Sequence, residues 1–207
     1  MNAENKDSYQ DKRRQAIEDA AYSVLAEKGY KAASMLAIAR KAKASNETLY
    51  NWYGSKQKLF GSLVEANTIN VRARLEDQLE PLNEKPIAEA LELLGVLLLK
   101  LVTGERAIAL NRAAAGDVHD TATLGNTIAQ SGKLTILPLV GRLFDNARMA
   151  GALAYEDNDH IAEIWVSLLI GDLQIQRVIG VRDELTDEEA MARSKRSAAL
   201  IEIIFGA

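Results

Sequence analysis

Apolar positions recur with a helical period along almost the whole chain, and strand-like alternation is essentially missing. Ile17, Ala21, Val24 and Leu25 form the first stripe, because residues three and four apart share one face of a helix. Gly29 then stands where a helix C-terminus is expected. Together with a total of three prolines, this pattern predicts an all-α fold.

Two short helical patterns lie close together between positions 34 and 56. Ser34 precedes the first pattern and predicts an N-cap, because a serine oxygen can accept a hydrogen bond from a free backbone N–H. The apolar positions of this helix are Leu36, Ile38, Ala39 and Ala42. The sequence therefore predicts a short amphipathic helix that ends near position 43.

Ser45 predicts the N-cap of a second short helix, with Leu49, Trp52 and Tyr53 on one side. Hydrogen-bonding side chains fill the remaining positions, namely Asn46, Glu47, Thr48, Tyr50 and Asn51. Two such helices joined by a turn make a helix-turn-helix, whose second helix lies in the major groove of DNA. Two ordinary surface helices of an all-helical domain are the alternative.

Charge is unevenly distributed along the sequence. Residues 1–60 carry 11 Lys+Arg and 7 Asp+Glu, a balance of +4, whereas residues 61–207 carry 14 and 22, a balance of −8. Such asymmetry is expected when one segment faces a polyanion and the other does not. The distribution therefore favours DNA binding over the surface-helix alternative.

Three motifs between Arg14 and Val64 belong together: the pair Ala20–Ala21 followed by EKGY at 27–30, Ser34 before an Ile-Ala pair, and the string S-x-x-TLY-x-x-(aromatic)-x-SK-x-x-L from 45 to 59. This segment resembles the N-terminal domain of TetR-type (TetR/AcrR) bacterial transcriptional regulators. The segment LLIGDLQIQRVIG and the final apolar helix are similar to the AefR-like branch. The resemblance implies a three-helix DNA-binding domain at 1–56 and a helical ligand-binding and dimerisation domain at 57–207.

The resemblance also assigns DNA contacts by position. It implies phosphate contacts by Ser34, Thr48, Tyr50 and Lys56, and base contacts by Asn46, Glu47 and Asn51. Chemistry agrees, because lysine supplies a cation, asparagine pairs bidentately with adenine and glutamate accepts from cytosine. Ser45 completes the expected DNA-binding surface as the N-cap of the recognition helix, and Trp52 either packs the domain or touches DNA.

Lys43 departs from the family pattern, which usually has glycine in the turn between the two helices. If the left-handed backbone is retained, a lysine there costs about 1–2 kcal/mol. We hypothesise that its ammonium reaches a phosphate. A solvated surface lysine is the alternative.

The remaining pattern predicts further helices at 60–81, at 87–102, after the separating Gly104 through 115, at 121–150 with a kink or break at Pro138, at 157–179 and at 187–205. Thr186 and Glu189 predict a capping box for the last helix. The last two helices are apolar on more than one face. The resemblance implies that they pair with their mates in a homodimer, and packing within one subunit is the alternative.

Polar side chains among these apolar helices could line a ligand pocket. Candidates are Asn111, His119, Trp165, Asp172 and Gln176. Asp172 and Gln176 are four residues apart, so they would share a helix face as pocket lining or as a hydrogen-bonded pair at an interface. His119 has no ligand-like spacing with the other histidine, and no phosphate loop, serine nucleophile or zinc signature is present. We therefore expect no catalytic residue, no metal and no cofactor.

The absence of cysteine excludes disulfides and thiolate metal sites. The chain begins with a polar segment of mixed charge, and its longest apolar run, at 93–99, is far below the ~20 residues of a membrane span. These features predict a cytoplasmic protein without a membrane partner. The sequence thus predicts a homodimeric repressor that binds a near-palindromic double-stranded DNA operator and is released by a small apolar effector. A helical ligand-binding or partner-binding module without specific DNA binding is the alternative, and an enzyme is a third.

Overall fold

The computed structural model describes residues 3–207, with the side chains at 3–9, 78, 80, 81, 83, 132, 133 and 135 outside that description. Within this range the chain forms helices and no strand beyond an isolated bridge between Leu153 and Gly206. The helices are α1 (Ala3–Ala32), α2 (Met35–Lys41), α3 (Asn46–Tyr53), α4 (Lys56–Asn83), α5 (Ile87–Thr103), α6 (Glu105–Asp117), α7 (Thr123–Met149), α8 (Asn158–Ile170), α9 (Leu173–Ile179) and α10 (Asp187–Phe205). The predicted all-α class is confirmed.

The first of two compact units comprises the chain up to Ala66 together with Ala109–Ile128. Its core contains the predicted stripe of α1, and the backbone leaves the helical conformation at Gly29, where the pattern predicts an end. Leu36 was expected on the apolar face of α2 but is 46% exposed, and Met35 is buried instead. The expectation for Leu36 is therefore wrong, because the buried face of α2 runs through positions 35, 38 and 39.

The second unit comprises Asn67–Ile108 and Ala129–Ala207. Phe144 and Trp165 are fully buried in its core, with ring centroids 6.3 Å apart in an edge-to-face arrangement that favours aromatic pairs. Helices α5 and α10 pack closely at Gly95, where an added Cβ would lie 2.1 Å from the Ser194 hydroxyl oxygen. That hydroxyl donates to the carbonyl of Glu92 at 2.7 Å, so a buried polar group is satisfied at the closest approach.

The continuity of two helices differs from the sequence predictions. The helix expected over 157–179 is broken, because Gly171 has φ 50 and ends α8 before α9 begins at Leu173. Helix α7 continues through Pro138, so no break occurs there. The capping box of α10 is confirmed, since Thr186 and Glu189 each accept from the other's backbone N–H.

The predicted border between the domains lies at residue 56, whereas the first compact unit also contains residues 57–66 and 109–128. The border at residue 56, between a DNA-binding part and a ligand-binding and dimerisation part, therefore stays a prediction. Across the described residues, no helix is both long and apolar enough to cross a membrane.

Candidate nucleic-acid interface

Helix α2 begins at a serine cap, as the sequence predicts. Ser34 has an extended backbone, and its exposed hydroxyl oxygen accepts from the backbone N–H of Ala37 at 3.2 Å. Ile38 and Ala39 anchor the opposite side of the helix in the core. The N-terminus of α2 is therefore fixed with Ser34 at the surface, where a phosphate oxygen could approach.

The turn between α2 and α3 has the left-handed conformation considered from the sequence. Lys43 has φ 51 and an exposed side chain. Arg13 of α1 braces this turn, because its guanidinium donates from Nη2 to the carbonyl of Lys43 at 2.7 Å and from Nη1 to that of Ala42 at 3.4 Å. These bonds offset part of the unfavourable backbone energy at Lys43.

Helix α3 begins at Ser45, whose hydroxyl oxygen accepts from the backbone N–H of Thr48 at 3.0 Å. The two hydroxyl oxygens of Ser45 and Thr48 are also 2.7 Å apart. Leu49 is fully buried, and Gly54 with φ 75 ends the helix. Both ends of α3 are thus set by local hydrogen bonds and backbone conformation, and Leu49 sets which face points inward.

The polar face of α3 is open to solvent. The predicted DNA-binding side chains that are exposed are Ser34, Lys43, Ser45, Asn46, Glu47, Tyr50 and Asn51. Thr48 is half-buried against Ser45. Trp52 is 40% exposed, whereas Tyr53 is half-buried. The sequence left open whether Trp52 packs the domain or touches DNA, and its surface position is compatible with touching DNA.

Lys56 is the first residue of α4, as expected for a lysine near a helix N-terminus that faces a phosphate. Its ammonium donates to the carbonyl of Tyr30 at 3.0 Å and lies 4.2 Å from the centre of the Tyr30 ring. A carbonyl and an aromatic face both attract a cation, so the ammonium is held at one place. Lysine has three N–H donors, and at least one remains for a phosphate.

Tyr30 joins this lysine to the loop between α6 and α7. Its ring packs edge-to-face on Phe60 at 5.3 Å, and its hydroxyl is buried. Burial, followed by the negative charge of Asp117, raises the pKa of the Tyr30 phenol. Tyr30 therefore stays neutral at physiological pH, and its hydroxyl lies within the field of the Asp117 carboxylate.

Asp117 is itself fully buried and organises that loop. Its Oδ2 accepts from the hydroxyl of Thr121 at 2.7 Å and from the backbone N–H of Thr123 at 3.1 Å. Burial opposes ionisation, but the hydrogen bonds from Thr121 and from the backbone of Leu124 outweigh it and lower the pKa of the Asp117 carboxyl. The carboxylate is the form that holds the start of α7.

The outer surface of this unit also carries an ion pair between Glu27 of α1 and Lys41 of α2. The hydrogen bond and charge of Lys41 lower the pKa of the Glu27 carboxyl. Both side chains are exposed, so the pair adds little to stability. The ion pair does neutralise the charge of Lys41, which lies near the turn between α2 and α3.

The predicted ligand-binding residues are divided between the two compact units. Asn111 and His119 belong to the first unit, and Trp165, Asp172 and Gln176 belong to the second. Trp165 is fully buried, with its indole N–H lacking a hydrogen-bond partner among the described residues. Gln176 donates to Asp172 at 2.6 Å, so the two share a helix face as expected, and this pair lies at the surface.

His119 is exposed, and among the described side chains no group of three or more His, Asp and Glu residues is arranged to hold a metal ion. The role of these five residues in ligand binding stays a prediction.

The contact of Arg13 with the turn between α2 and α3 was not predicted from the sequence. Arg13 belongs to the basic run Lys12–Arg14 just before the first apolar stripe, and that run is the available signal. Which of its members reaches the turn depends on how α1 packs against α2, because Lys43 lies thirty positions after Arg13. Tyr30 and Asp117 are likewise brought together only by the fold.

Comparisons with known proteins agree with the geometry. Residues 17–63 match the family model of bacterial regulatory proteins of the tetR family, and residues 89–202 match the C-terminal domain of AefR-like transcriptional repressors. A search of curated proteins finds no match. Among solved structures, a TetR-family transcriptional regulator from Mesorhizobium loti MAFF303099 is 22% identical, with a TM-score of 0.84 over 95% of this chain and 98% of that one. A TetR transcriptional regulator from Agrobacterium tumefaciens is 25% identical, with a TM-score of 0.74 over 94% of each chain.

Proposed function

Because the chain belongs to the TetR family of bacterial transcriptional regulators, which are not enzymes, we propose that it is a homodimeric repressor released from a near-palindromic DNA operator by a small molecule. The observation that carries this proposal is the solvent-exposed polar face of α3, framed by the capped N-terminus of α2 and by Lys56. The protein would act in the cytoplasm, where bacterial DNA is found.

Two kinds of contact follow from the chemistry of that face. Asn46, Glu47 and Asn51 present amide and carboxylate groups that read base edges, because each base pair shows a distinct donor and acceptor pattern in the major groove. Lys56 and Tyr50 contact phosphates, which sets affinity and register but carries no sequence information. Specificity and affinity thus reside in different side chains of one surface.

The homodimer is supported by apolar side chains left exposed near the C-terminus. Six large ones in α9, α10 and the loop between them are at least about one-third exposed, namely Ile175, Ile179, Val181, Met191, Ile203 and Ile204. Large apolar side chains left exposed in such number within two helices and their connecting loop are expected at an association site. A twofold axis would place two recognition helices about 34–36 Å apart, one turn of B-DNA, which is why a near-palindrome is expected.

A cavity of about 290 Å³ supports the small apolar effector. It lies in the second unit and is lined by Arg74, Asp77, Leu82, Leu93, Leu94 and Leu97. Pockets for small molecules are mostly apolar with a few polar groups that fix orientation, and this lining has that composition. An effector would release DNA only if it binds more tightly to a state that fits the operator poorly.

The proposal is tested by separating base contacts from phosphate contacts on an operator obtained by selection. Asn51→Ala should weaken operator binding while leaving binding to bulk DNA unchanged. Lys56→Gln should weaken both and lower the slope of log K against log salt by about 1 per subunit. Equal effects of the two variants on specific and bulk binding would contradict the assignment, and sedimentation of a monomer at the binding concentration would contradict the homodimer.

A further inference from the structure

A second cavity in the same unit, here called the arginine cavity, lies where the chain turns from α9 into α10. Its volume is about 330 Å³. It is lined by Leu173, Arg182, Leu185, Glu189, Ala192, Arg193 and Arg196. We propose that the arginine cavity binds a small organic carboxylate, which its guanidinium groups hold by paired hydrogen bonds. The ligand's role as an effector rests on the proposed function, but its binding does not.

The break between α8 and α9 makes room for one of these arginines. Gly171 has φ 50, and a Cβ there would lie 2.2 Å from Arg193 Nη2, so the guanidinium packs directly against the glycine. Arg193 Nε donates to the carbonyl of Leu169 near the end of α8 at 2.9 Å. The Arg193 head is therefore fixed before any ligand arrives, which lowers the entropy lost on binding.

Arg182, a second arginine of the lining, is also fixed. Its Nη2 donates to Glu189 Oε1 at 2.6 Å, while the other oxygen of Glu189 accepts from the backbone N–H of Thr186. Arg182 Nε is buried and has no hydrogen-bond partner in the described part of the chain. Glu189 is thus committed to the cap of α10 and to Arg182, and no ion pair of the described residues involves Arg193 or Arg196.

Charge in the cavity is strongly unbalanced. Its lining has three arginines against one carboxylate, although residues 61–207 as a whole carry 14 basic and 22 acidic side chains. Arg196 makes no hydrogen bond or ion pair that the described residues show, and the exposed Asp183 and Glu184 of the adjacent loop do not line the cavity. A concentrated positive site in an acidic segment is suited to an anion.

The lining also indicates which anion. Arginine forms two parallel N–H···O bonds with a carboxylate, and this geometry favours arginine over lysine at such sites. Leu173, Leu185 and Ala192 supply apolar wall that a free inorganic ion would leave unused. The volume is at the lower end of the range for small-molecule pockets, so a carboxylate on a compact apolar body fits.

The test is isothermal titration calorimetry of the full chain with benzoate, and with benzamide as its neutral isostere, at constant ionic strength. We expect benzoate to bind with a Kd in the millimolar range and benzamide to bind at least tenfold more weakly, since charged hydrogen bonds account for about that ratio or more. Arg196→Gln should weaken benzoate binding about tenfold. Lys195→Gln removes the same charge from an exposed position of the same helix outside the cavity, and it should change Kd less than twofold.

Arg196→Lys separates geometry from charge, because it keeps the cation and loses the planar pair of donors. We expect it to lie between the wild type and Arg196→Gln. The proposal is overturned if benzamide binds as well as benzoate, or if Lys195→Gln and Arg196→Gln have equal effects. It is also overturned if Arg196→Gln changes the oligomeric state instead of benzoate binding, since a second copy of the chain would then fill the cavity. No DNA is present in this measurement, so failure to bind an operator would leave its result intact.

Discussion

Lys43 and Ala122 are the residues other than glycine that the described part of the chain holds at positive φ, with values of 51 and 53. Both belong to the first compact unit, but only Lys43 lies in the turn before α3. They form a matched pair for a test in which glycine replaces each. Lys43→Gly removes backbone strain and a predicted phosphate contact, whereas Ala122→Gly removes strain alone.

The expected gain in stability follows from two opposing contributions. A left-handed conformation costs a residue with a Cβ about 1–2 kcal/mol, and glycine removes this strain. Glycine also lowers stability by about 0.4–1 kcal/mol, because it increases the conformational entropy of the unfolded chain. Each variant should therefore gain up to about 1.5 kcal/mol, and a gain of 1 kcal/mol raises the Tm of a protein of this size by about 2–4 °C. The bonds from Arg13 persist in Lys43→Gly, because they end on backbone carbonyls.

Urea denaturation measures the stability of both variants, and a salt titration of operator binding measures the contact. We expect Lys43→Gly to lower the slope of log K against log salt by about 1 per subunit and Ala122→Gly to leave it unchanged. An unchanged slope in Lys43→Gly would identify Lys43 as a solvated lysine. Loss of stability in Lys43→Gly with a gain in Ala122→Gly would refute the strain argument for the turn.

Three further predictions concern single side chains. Thr186→Ala should lower the free energy of unfolding by about 1 kcal/mol in urea titrations, because it removes the cap of α10, and no loss would contradict the capping role. Asp117→Asn should destabilise the protein by about 1–3 kcal/mol at pH 7. Because the folded pKa of Asp117 is lowered, the stability it contributes is present above the unfolded pKa of about 3.9 and is lost as pH falls through the folded value. The gap between wild type and variant should therefore close in acid, and a constant gap would contradict it. Arg13→Gln should weaken operator binding and lower stability by about 1 kcal/mol in thermal melts, whereas unchanged binding would show that the turn keeps its shape without the brace.

Local features of the sequence predicted local features of the structure. The caps at Ser34, Ser45 and Thr186 depend on a side chain and a backbone N–H three residues away, so the residue type and its position suffice. The left-handed turn at Lys43 was considered only because of the family resemblance, since a lysine by itself disfavours that conformation. The presence and order of the helices are also predictable, because the helical spacing of apolar residues can be read within each segment.

Most of the missed features depend on contacts between distant residues. The apolar pattern resumes after Gly171 and Asp172 and so does not mark the break, which the structure shows in the φ of Gly171 and in the guanidinium of Arg193 packed against it. The brace from Arg13 and the pairing of Tyr30 with Asp117 join residues at least 29 positions apart. The burial of Met35 in place of Leu36 is a shift of one position in a helix of seven residues, too short for its period to fix its phase.

The central claim is that the chain reads DNA sequence as a dimer, and selection of bound sequences from a random DNA pool at near-physiological salt tests it most directly. We predict a near-palindrome with half-sites centred about 10 base pairs apart or a multiple of this, bound at least a thousandfold more tightly than bulk DNA. Weak binding that falls with salt and shows no sequence preference would contradict the claim and direct the search for function to the second compact unit.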